Sequence, residues 1–344
     1  MTNYRIGIVG TGFGVSTHLP ALTAHPRFEV VALASPSSAA RIAKERGIAN
    51  AFASCQAMLD GCELDAVTIA SPPFAHAADV HAALARAKHV VCEKPFALSV
   101  ADAEGLAEAA ARAGTACGIA HEFRFSAPLA ALREMIVNRH LDPVRDIEVA
   151  RYAGNLRGAV QAPRSWWFEA GRGGGIAGGM LVHWIDLANW LAGKPFKRAS
   201  GLLRTANPAR SDNAGPFTSA VDDGAFAAIE YEGGLVARVA ADATLAVESF
   251  LCAVHGETRT AVASGTSPIG ASLHAVDAQE TSELECAPSP YAKFASVNPS
   301  VPLMMELYDE FVKQIETGAS ALPTFADGVE TQRVMAAIGY PPGR

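Results

Sequence analysis

The first 120 or so residues alternate nearly continuous apolar runs with alanine-rich segments, and few architectures accept that pattern. The runs are Arg5-Ile6-Gly7-Ile8-Val9, Phe28 to Ala34, Asp65 to Ala70, His89-Val90-Val91-Cys92 and Thr115 to Ala120. A strand that is apolar on both sides must be covered on both sides, which is the situation in parallel sheets flanked by helices. The segments near 37–46, 75–87 and 99–114 read as those helices. Asp102 and Glu104 lie early in the last one, where a helix N-terminus favours anions. The alternation therefore predicts an α/β fold with a doubly wound parallel sheet over residues 1–122.

Beyond that point the pattern changes. Pro128 to Arg139 reads as a helix, with Leu129, Leu132 and Ile136 in one stripe. Shorter strands follow at 145–153, 197–205, 224–232, 234–243, 249–256 and 258–264, and Glu232-Gly233-Gly234 turns one into the next. Tight turns between consecutive strands make antiparallel pairs. Residues 123–344 are thus expected to form an α+β domain with a large, open, mainly antiparallel sheet, used for substrate binding and oligomerisation. Two Pro/Ser/Asn-rich stretches, 205–222 and 264–302, read as long loops. Leu303, Leu307, Phe311 and Ile315 stripe a helix near the end, and the C-terminal helices are free to pack back on the first domain.

Bulk composition removes several function classes. The 344 residues are 50% hydrophobic and 18% charged, so a sizeable core can be buried. Net charge is −7, from 28 basic and 35 acidic side chains, with no run of Lys and Arg. That balance argues against nucleic-acid binding and against a basic membrane-surface patch. No apolar stretch is long enough to cross a bilayer. Met1-Thr2-Asn3-Tyr4 leads straight into strand residues, without the charged start of a secretory leader. The six cysteines lack C-x-x-C spacing and read as small buried residues in a reduced cytoplasm. No His/Cys/carboxylate cluster has ligand spacing, so no metal is expected.

Gly10-Thr11-Gly12-Phe13-Gly14 follows the first strand immediately. Gly10 permits a tight turn, and Gly12 lets backbone approach a pyrophosphate at a helix N-terminus. A third fingerprint glycine would stand at position 15, which is Val15; Gly14 serves by a one-residue shift. After the second strand come Ser35-Pro36-Ser37-Ser38 and then Arg41, with no acidic residue for a ribose 2′-hydroxyl. Hydroxyls and an arginine accept a 2′-phosphate that a carboxylate would repel, so NADP is expected over NAD.

Ser71-Pro72-Pro73 leaves the next strand with its backbone fixed by two prolines, where it can border a cofactor. His76 starts the following helix and is a candidate for a phosphate or ribose contact. Glu93-Lys94-Pro95 closes the strand His89–Cys92. A lysine there stands at the carboxyl end of a parallel strand, where open sheets place ligands, and its ammonium beside a nicotinamide could hold a substrate oxygen.

Taken in order, Gly-Thr-Gly-Phe-Gly, Ser-Pro-Pro-x-x-His, Glu-Lys-Pro, and Gly173-Gly174-Gly175 followed by His183-x-x-Asp186 resemble the Gfo/Idh/MocA oxidoreductases. The resemblance covers essentially the whole chain. It implies an N-terminal Rossmann domain and an NAD(P)-dependent dehydrogenase or reductase acting on CH–OH groups of a sugar, polyol or related cyclic alcohol. It also implies that Lys94 reaches substrate and nicotinamide ribose together, that Glu93 orients it, and that the Lys94-Pro95 bond can be cis. Self-association as a homodimer or homotetramer through the C-terminal sheet is expected, because an open sheet leaves an apolar face.

His183 and Asp186 lie one turn apart on one helix face, and Met180, Leu187 and Leu191 can pack near it. At the matching family position the histidine is the general acid/base for a hydroxyl, and it is expected to face the cleft between domains. Imidazole titrates in the range that work needs. Many family members carry an aspartate four residues earlier, where this chain has Gly179. Asp186 is one substitute; a different substrate or weak catalysis are the others. Arg124 reads either as a substrate contact or as half of a salt bridge. Trp166 and Trp167 read as a sugar-stacking wall or as core. The rival reading is a catalytically silent dinucleotide sensor that binds a protein partner; Gly179 favours it, and Lys94 with His183 oppose it.

Overall fold

The computed structural model describes residues 3–158 and 163–341; Met1 and Thr2, read above as leading into the first strand, lie outside them. The chain divides into two compact units. The first comprises Met1–Glu122 and Ser289–Val329, and the second Phe123–Pro288 and Glu330–Arg344.

The first unit is built on six parallel strands: β1 (Tyr4–Val9), β2 (Phe28–Ala34), β3 (Asn50–Phe52), β4 (Ala66–Ile69), β5 (His89–Cys92) and β6 (Cys117–Ile119). Their order is β3-β2-β1-β4-β5-β6, so the direction of winding reverses between β1 and β4. Ile6, Ile8, Leu33, Val67, Ile69, Val90 and Val91 are all buried, which is why these strands are apolar on both sides. Each such side chain contributes about 1.5–3 kcal/mol on burial.

The helices of this unit are α1 (Leu19–Ala24), α2 (Ala39–Arg46), α3 (Cys55–Gly61), α4 (Pro73–Leu84) and α5 (Val100–Ala113). A wide turn over Gly14–His18 runs directly into α1. Local sequence sets the ends of α5. Ser99 accepts the Asp102 N–H at its start, and Gly114 stops it with φ +65°. β3 and α3 were not legible in the sequence. β3 is three residues long, lies at the sheet edge and is half-exposed, so it lacks an apolar run.

The second unit contains α6 (Ala127–Val137), β7 (Val144–Tyr152), α7 (Val182–Ala192) and β8 (Phe196–Arg204). A hairpin of β9 (Ala209–Asp212) and β10 (Gly215–Thr218) follows. Then come β11 (Gly224–Tyr231), β12 (Val236–Asp242), β13 (Ser249–Gly256), β14 (Thr260–Gly265), β15 (Ser272–Val276) and β16 (Thr281–Leu284). Eight strands form one sheet in the order β16-β15-β14-β13-β7-β12-β11-β8. Every neighbouring pair is antiparallel except β7 with β12. Burial alternates along β11 and β12, so one face meets α6 and α7 and the other is left open. Trp184 is fully buried in that core, with the Phe123 and Phe250 rings each 5.4 Å away.

The stretches 205–222 and 264–302 are not plain loops: the first holds the β9–β10 hairpin, the second β15, β16 and a short helical turn at Ala292–Ser296. β9, β10 and β16 are short and polar, so no period-two apolar pattern marked them. Two last helices follow, α8 (Val301–Thr317) and α9 (Phe325–Ala337). α8 buries Val301, Met304, Leu307, Tyr308 and Phe311 at helical spacing within the first unit. Phe311 stacks on Phe28 at 6.3 Å.

Candidate active site

Three loops meet at the carboxyl edge of the parallel sheet, because β1, β4 and β5 are adjacent and end in register. Val9 stands opposite Ile69, and Ile69 opposite Cys92. The Gly10–Gly14 turn, the Ser71-Pro72-Pro73 segment and Glu93-Lys94-Pro95 therefore leave the sheet side by side. This is the reversal point at which doubly wound sheets bind ligands.

The glycine turn fits a dinucleotide. Gly10 has φ +103°, and a Cβ there would lie 2.1 Å from the Ala70 carbonyl oxygen, so no other residue suits. A Cβ on Gly12 would meet nothing within 4 Å, leaving an open backbone surface for a pyrophosphate. Gly14 packs against Ile8 and Ala70, with 3.1 Å from its virtual Cβ to Ile8. Gly14 thus performs the close helix–strand packing of the third fingerprint glycine, one residue early. Phe13 is half-buried, its ring edge-on to His18 at 5.7 Å.

At the end of β2, the Thr11 hydroxyl pairs with Ser38 at 2.7 Å and with Ser35 at 3.4 Å, and Ser35 pairs with Ser38 at 3.1 Å. The Ser35-Pro36-Ser37-Ser38 stretch gave Ser35, Ser37 and Ser38 as hydroxyls at this turn, and Thr11 joins them from the glycine turn. Ser37 is exposed. Arg41 is also exposed and forms an ion pair with Glu45 at 2.7 Å, one turn along α2. Such an exposed pair is weak, so it restrains the guanidinium little.

His76 is not placed as a direct ligand. It is fully buried; one ring nitrogen lies 2.7 Å from the Ser71 carbonyl and the other 3.0 Å from that of Pro95. A neutral imidazole donates to one of these carbonyls, the choice set by its tautomer, and the ring sits between two of the three loops. Burial pulls its pKa down, and the two carbonyls act against that shift. Ser71 donates to Asp79 at 2.7 Å, and Pro72 in extended conformation leads into α4.

Lys94 is half-buried, and the Lys94-Pro95 bond is cis. Glu93 is buried, with one carboxylate oxygen 2.9 Å from His18 Nε2. Its other oxygen accepts the Lys94 backbone N–H at 3.2 Å. Burial would raise this carboxyl. The His18 hydrogen bond and charge, with Lys94 close by, outweigh it and hold the group below the usual carboxylate range.

In the second unit, α7 continues a wide turn over Ala177–Leu181 that starts beside the glycine run. Gly175 has φ +100°, and its virtual Cβ would collide with the Asp222 carboxylate at 2.3 Å. That carboxylate accepts the Ala177 N–H at 2.6 Å and so caps the start of the helix. Burial pushes the Asp222 carboxyl up to about 6. His183 sits on α7, buried, with the Phe123 ring edge-on at 4.7 Å.

Arg124 and Asp186, both proposed above as substrate contacts, are engaged with each other. Nε and Nη2 of Arg124 donate to the two carboxylate oxygens at 2.8 and 2.5 Å, and both residues are buried. The structure shows Arg124 as half of a salt bridge, with both Asp186 carboxylate oxygens engaged by its guanidinium. What covers Gly179 is an indole: a Cβ there would lie 3.4 Å from Nε1 of Trp167. Trp166 is half-buried in the same short helical turn, Trp166–Phe168, one residue away from that position. The tryptophan beside the His183 helix is therefore Trp167. Among the described residues no group of three or more His, Cys, Asp or Glu side chains is placed to hold a metal. No helix among them is long and apolar enough to cross a membrane.

Comparison with known proteins agrees with this geometry. Residues 4–121 match the model of an oxidoreductase family with an NAD-binding Rossmann fold, and residues 129–262 match the GFO/IDH/MocA C-terminal domain. An uncharacterised oxidoreductase of Synechocystis sp. (strain ATCC 27184 / PCC 6803 / Kazusa) is 30% identical over 58% of this chain and 54% of its own. Levoglucosan dehydrogenase of Pseudarthrobacter phenanthrenivorans (strain DSM 18606 / JCM 16027 / LMG 23796 / Sphe3) is 27% identical over 61% of this chain and 56% of its own. The matched stretch thus spans about half the length of each relative. A solved levoglucosan dehydrogenase complex with NADH and L-sorbose has the same fold, with a TM-score of 0.86 at 23% identity over 98% of this chain and 96% of that one. With both family models matched in sequence order across most of its length, the chain belongs to the Gfo/Idh/MocA family of oxidoreductases.

Proposed function

We propose that this protein is an NAD(P)-dependent dehydrogenase or reductase that interconverts a hydroxyl and a carbonyl on a sugar, polyol or related cyclic alcohol. The observation that carries the reading is the placement of Lys94 at the carboxyl end of β5, next to a glycine turn fit for a dinucleotide. When bound, the nicotinamide cofactor accepts or supplies the hydride. Gly10, Gly12 and Gly14 shape the backbone that holds the pyrophosphate. Ser71 and Pro72 border the nicotinamide end. Lys94 holds the reacting oxygen and stabilises negative charge as it develops. Hydride cannot leave a CH–OH carbon productively unless the hydroxyl proton also leaves, and His183 takes that proton. Trp167 offers an aromatic face to the C–H side of a ring substrate, with an indole N–H in the region where a carboxylate would otherwise stand.

The cofactor preferred is NADP. Thr11, Ser35 and Ser38 gather hydroxyls at the end of β2, no carboxylate occupies that turn, and Arg41 is only weakly held by Glu45. The test is cofactor reduction across a panel of sugars and polyols, levoglucosan and inositol included, run with both NAD and NADP. Turnover on at least one compound, faster with NADP, is expected. Tight cofactor binding with no turnover on any compound would instead favour the silent sensor, and faster turnover with NAD would remove the preference.

The open face of the eight-stranded sheet is proposed to seat a second copy of the chain. Leu202 and Phe226 stand directly opposite each other on β8 and β11, about half exposed at 53% and 49%. Phe226→Asp is expected to shift the protein to a smaller species in sedimentation. An unchanged sedimentation coefficient would rule this face out.

A further inference from the structure

The Glu93 carboxylate is the end of a buried chain of side chains that the reaction scheme above does not use. His18 Nε2 lies 2.9 Å from Glu93, and His18 Nδ1 lies 2.7 Å from the Tyr308 hydroxyl. That hydroxyl lies 2.7 Å from the Thr68 hydroxyl. His18, Thr68 and Tyr308 are fully buried, and all four residues belong to the first unit. They come from four places: the turn after the glycines, β4, the loop after β5, and α8. Every donor and acceptor along the chain has a partner, and in so dry a setting each bond is electrostatically strong. On the other side of Lys94, His76 grips the Pro95 carbonyl at 3.0 Å. The lysine is thus flanked by two buried imidazoles, one acting on the residue before it and one on the residue after.

We propose that His18 and Tyr308 are positioning residues for Lys94, acting through Glu93: the imidazole fixes the carboxylate against the Lys94 backbone, and the tyrosine hydroxyl fixes the imidazole. This rests on the reading of Lys94 as the cation at the reacting oxygen. The groups whose charge reaches Glu93 are His18, Lys94 and His76. His18 hydrogen-bonds the carboxylate through its side chain, so it opposes the burial that would otherwise protonate Glu93. The network therefore governs where the lysine stands, through the carboxylate that accepts its backbone N–H.

The test does not use turnover. Trace acylation of the intact protein at one fixed pH, read by mass spectrometry, gives the rate at which the Lys94 amine is modified, with exposed Lys44 as internal reference. Glu93→Gln and His18→Leu are each expected to change the Lys94 rate relative to Lys44 by about 10-fold, as the carboxylate beside the lysine is removed or released. His18→Gln, whose amide can still donate toward Glu93, should keep most of the wild-type rate. Tyr308→Phe, which removes one oxygen atom and little else, should fall between. The Lys44 rate should not change in any variant. An unchanged Lys94 rate in folded Glu93→Gln or Tyr308→Phe overturns the proposal, whether or not His18→Leu folds. The lysine's role in turnover is tested separately by its own substitution, so the two ideas can fail independently.

Discussion

Lys94→Ala and His183→Ala should each lower turnover by about 10²- to 10⁴-fold, the range that a positioned acid/base or charge-stabilising group supplies. The two losses arise differently. Without the ammonium, negative charge developing on the reacting oxygen has no compensating cation. Without the imidazole, the hydroxyl proton has no positioned general base to accept it. Affinity for the dinucleotide should change far less, because the surface for its pyrophosphate is backbone, set by Gly10 and Gly12. Steady-state kinetics beside a cofactor titration would separate the effects. Wild-type turnover in either variant would remove that residue from the scheme. A loss confined to cofactor binding would reassign it.

The second large effect concerns stability. Arg124→Ala should destabilise the protein by about 3–5 kcal/mol, because it strands the Asp186 carboxylate in the interior. Both partners are nearly inaccessible, with side-chain exposures of 6% and 2%, so water cannot replace the lost guanidinium. Replacing both together, as Arg124→Met with Asp186→Leu, should recover most of the loss, since a dry ion pair and a packed apolar pair are often similar in net stability. Urea unfolding of the three proteins would show it. A single-variant loss below about 1 kcal/mol, the level of exposed pairs, would mean that water reaches the site. The pair also anchors α7 to the segment that carries Phe123, whose ring rests on His183. The double variant therefore also asks whether the imidazole needs a charged neighbour or only a packed one.

How much of this was legible beforehand depended on distance along the chain. The strands of the parallel sheet were readable because Ile6, Ile8, Val67, Ile69, Val90 and Val91 face cover on both sides and make the runs nearly all apolar. β9, β10 and β16 were not, since short strands with residues such as Asp212, Pro216 and Glu283 carry the composition of a loop. In the site, the motifs that sequence singled out were those whose parts lie within a few residues of each other: the glycine turn, Ser71-Pro72 and Glu93-Lys94. Pairings across long separations did not. Arg124 and Asp186 were both noted, yet nothing in a 62-residue spacing says that they meet each other before either could meet a ligand. His18 and Tyr308, 290 residues apart, gave no signal at all. The tyrosine lies one position along from Leu307, outside the apolar stripe of Leu303, Leu307, Phe311 and Ile315.

The first unit is assembled from two separate stretches of chain, with the second unit spelled out between them. On the ribosome, Phe28 and Thr68 emerge long before Phe311 and Tyr308, the aromatic residues that finally cover or bond them. Until those late codons are read, the nascent dinucleotide domain carries an unfinished flank, while nearly all of its partner domain is already available to collapse. Closure of the nucleotide-binding half therefore waits for residues 289–329, and a message cut short before residue 289 yields a chain that cannot complete it.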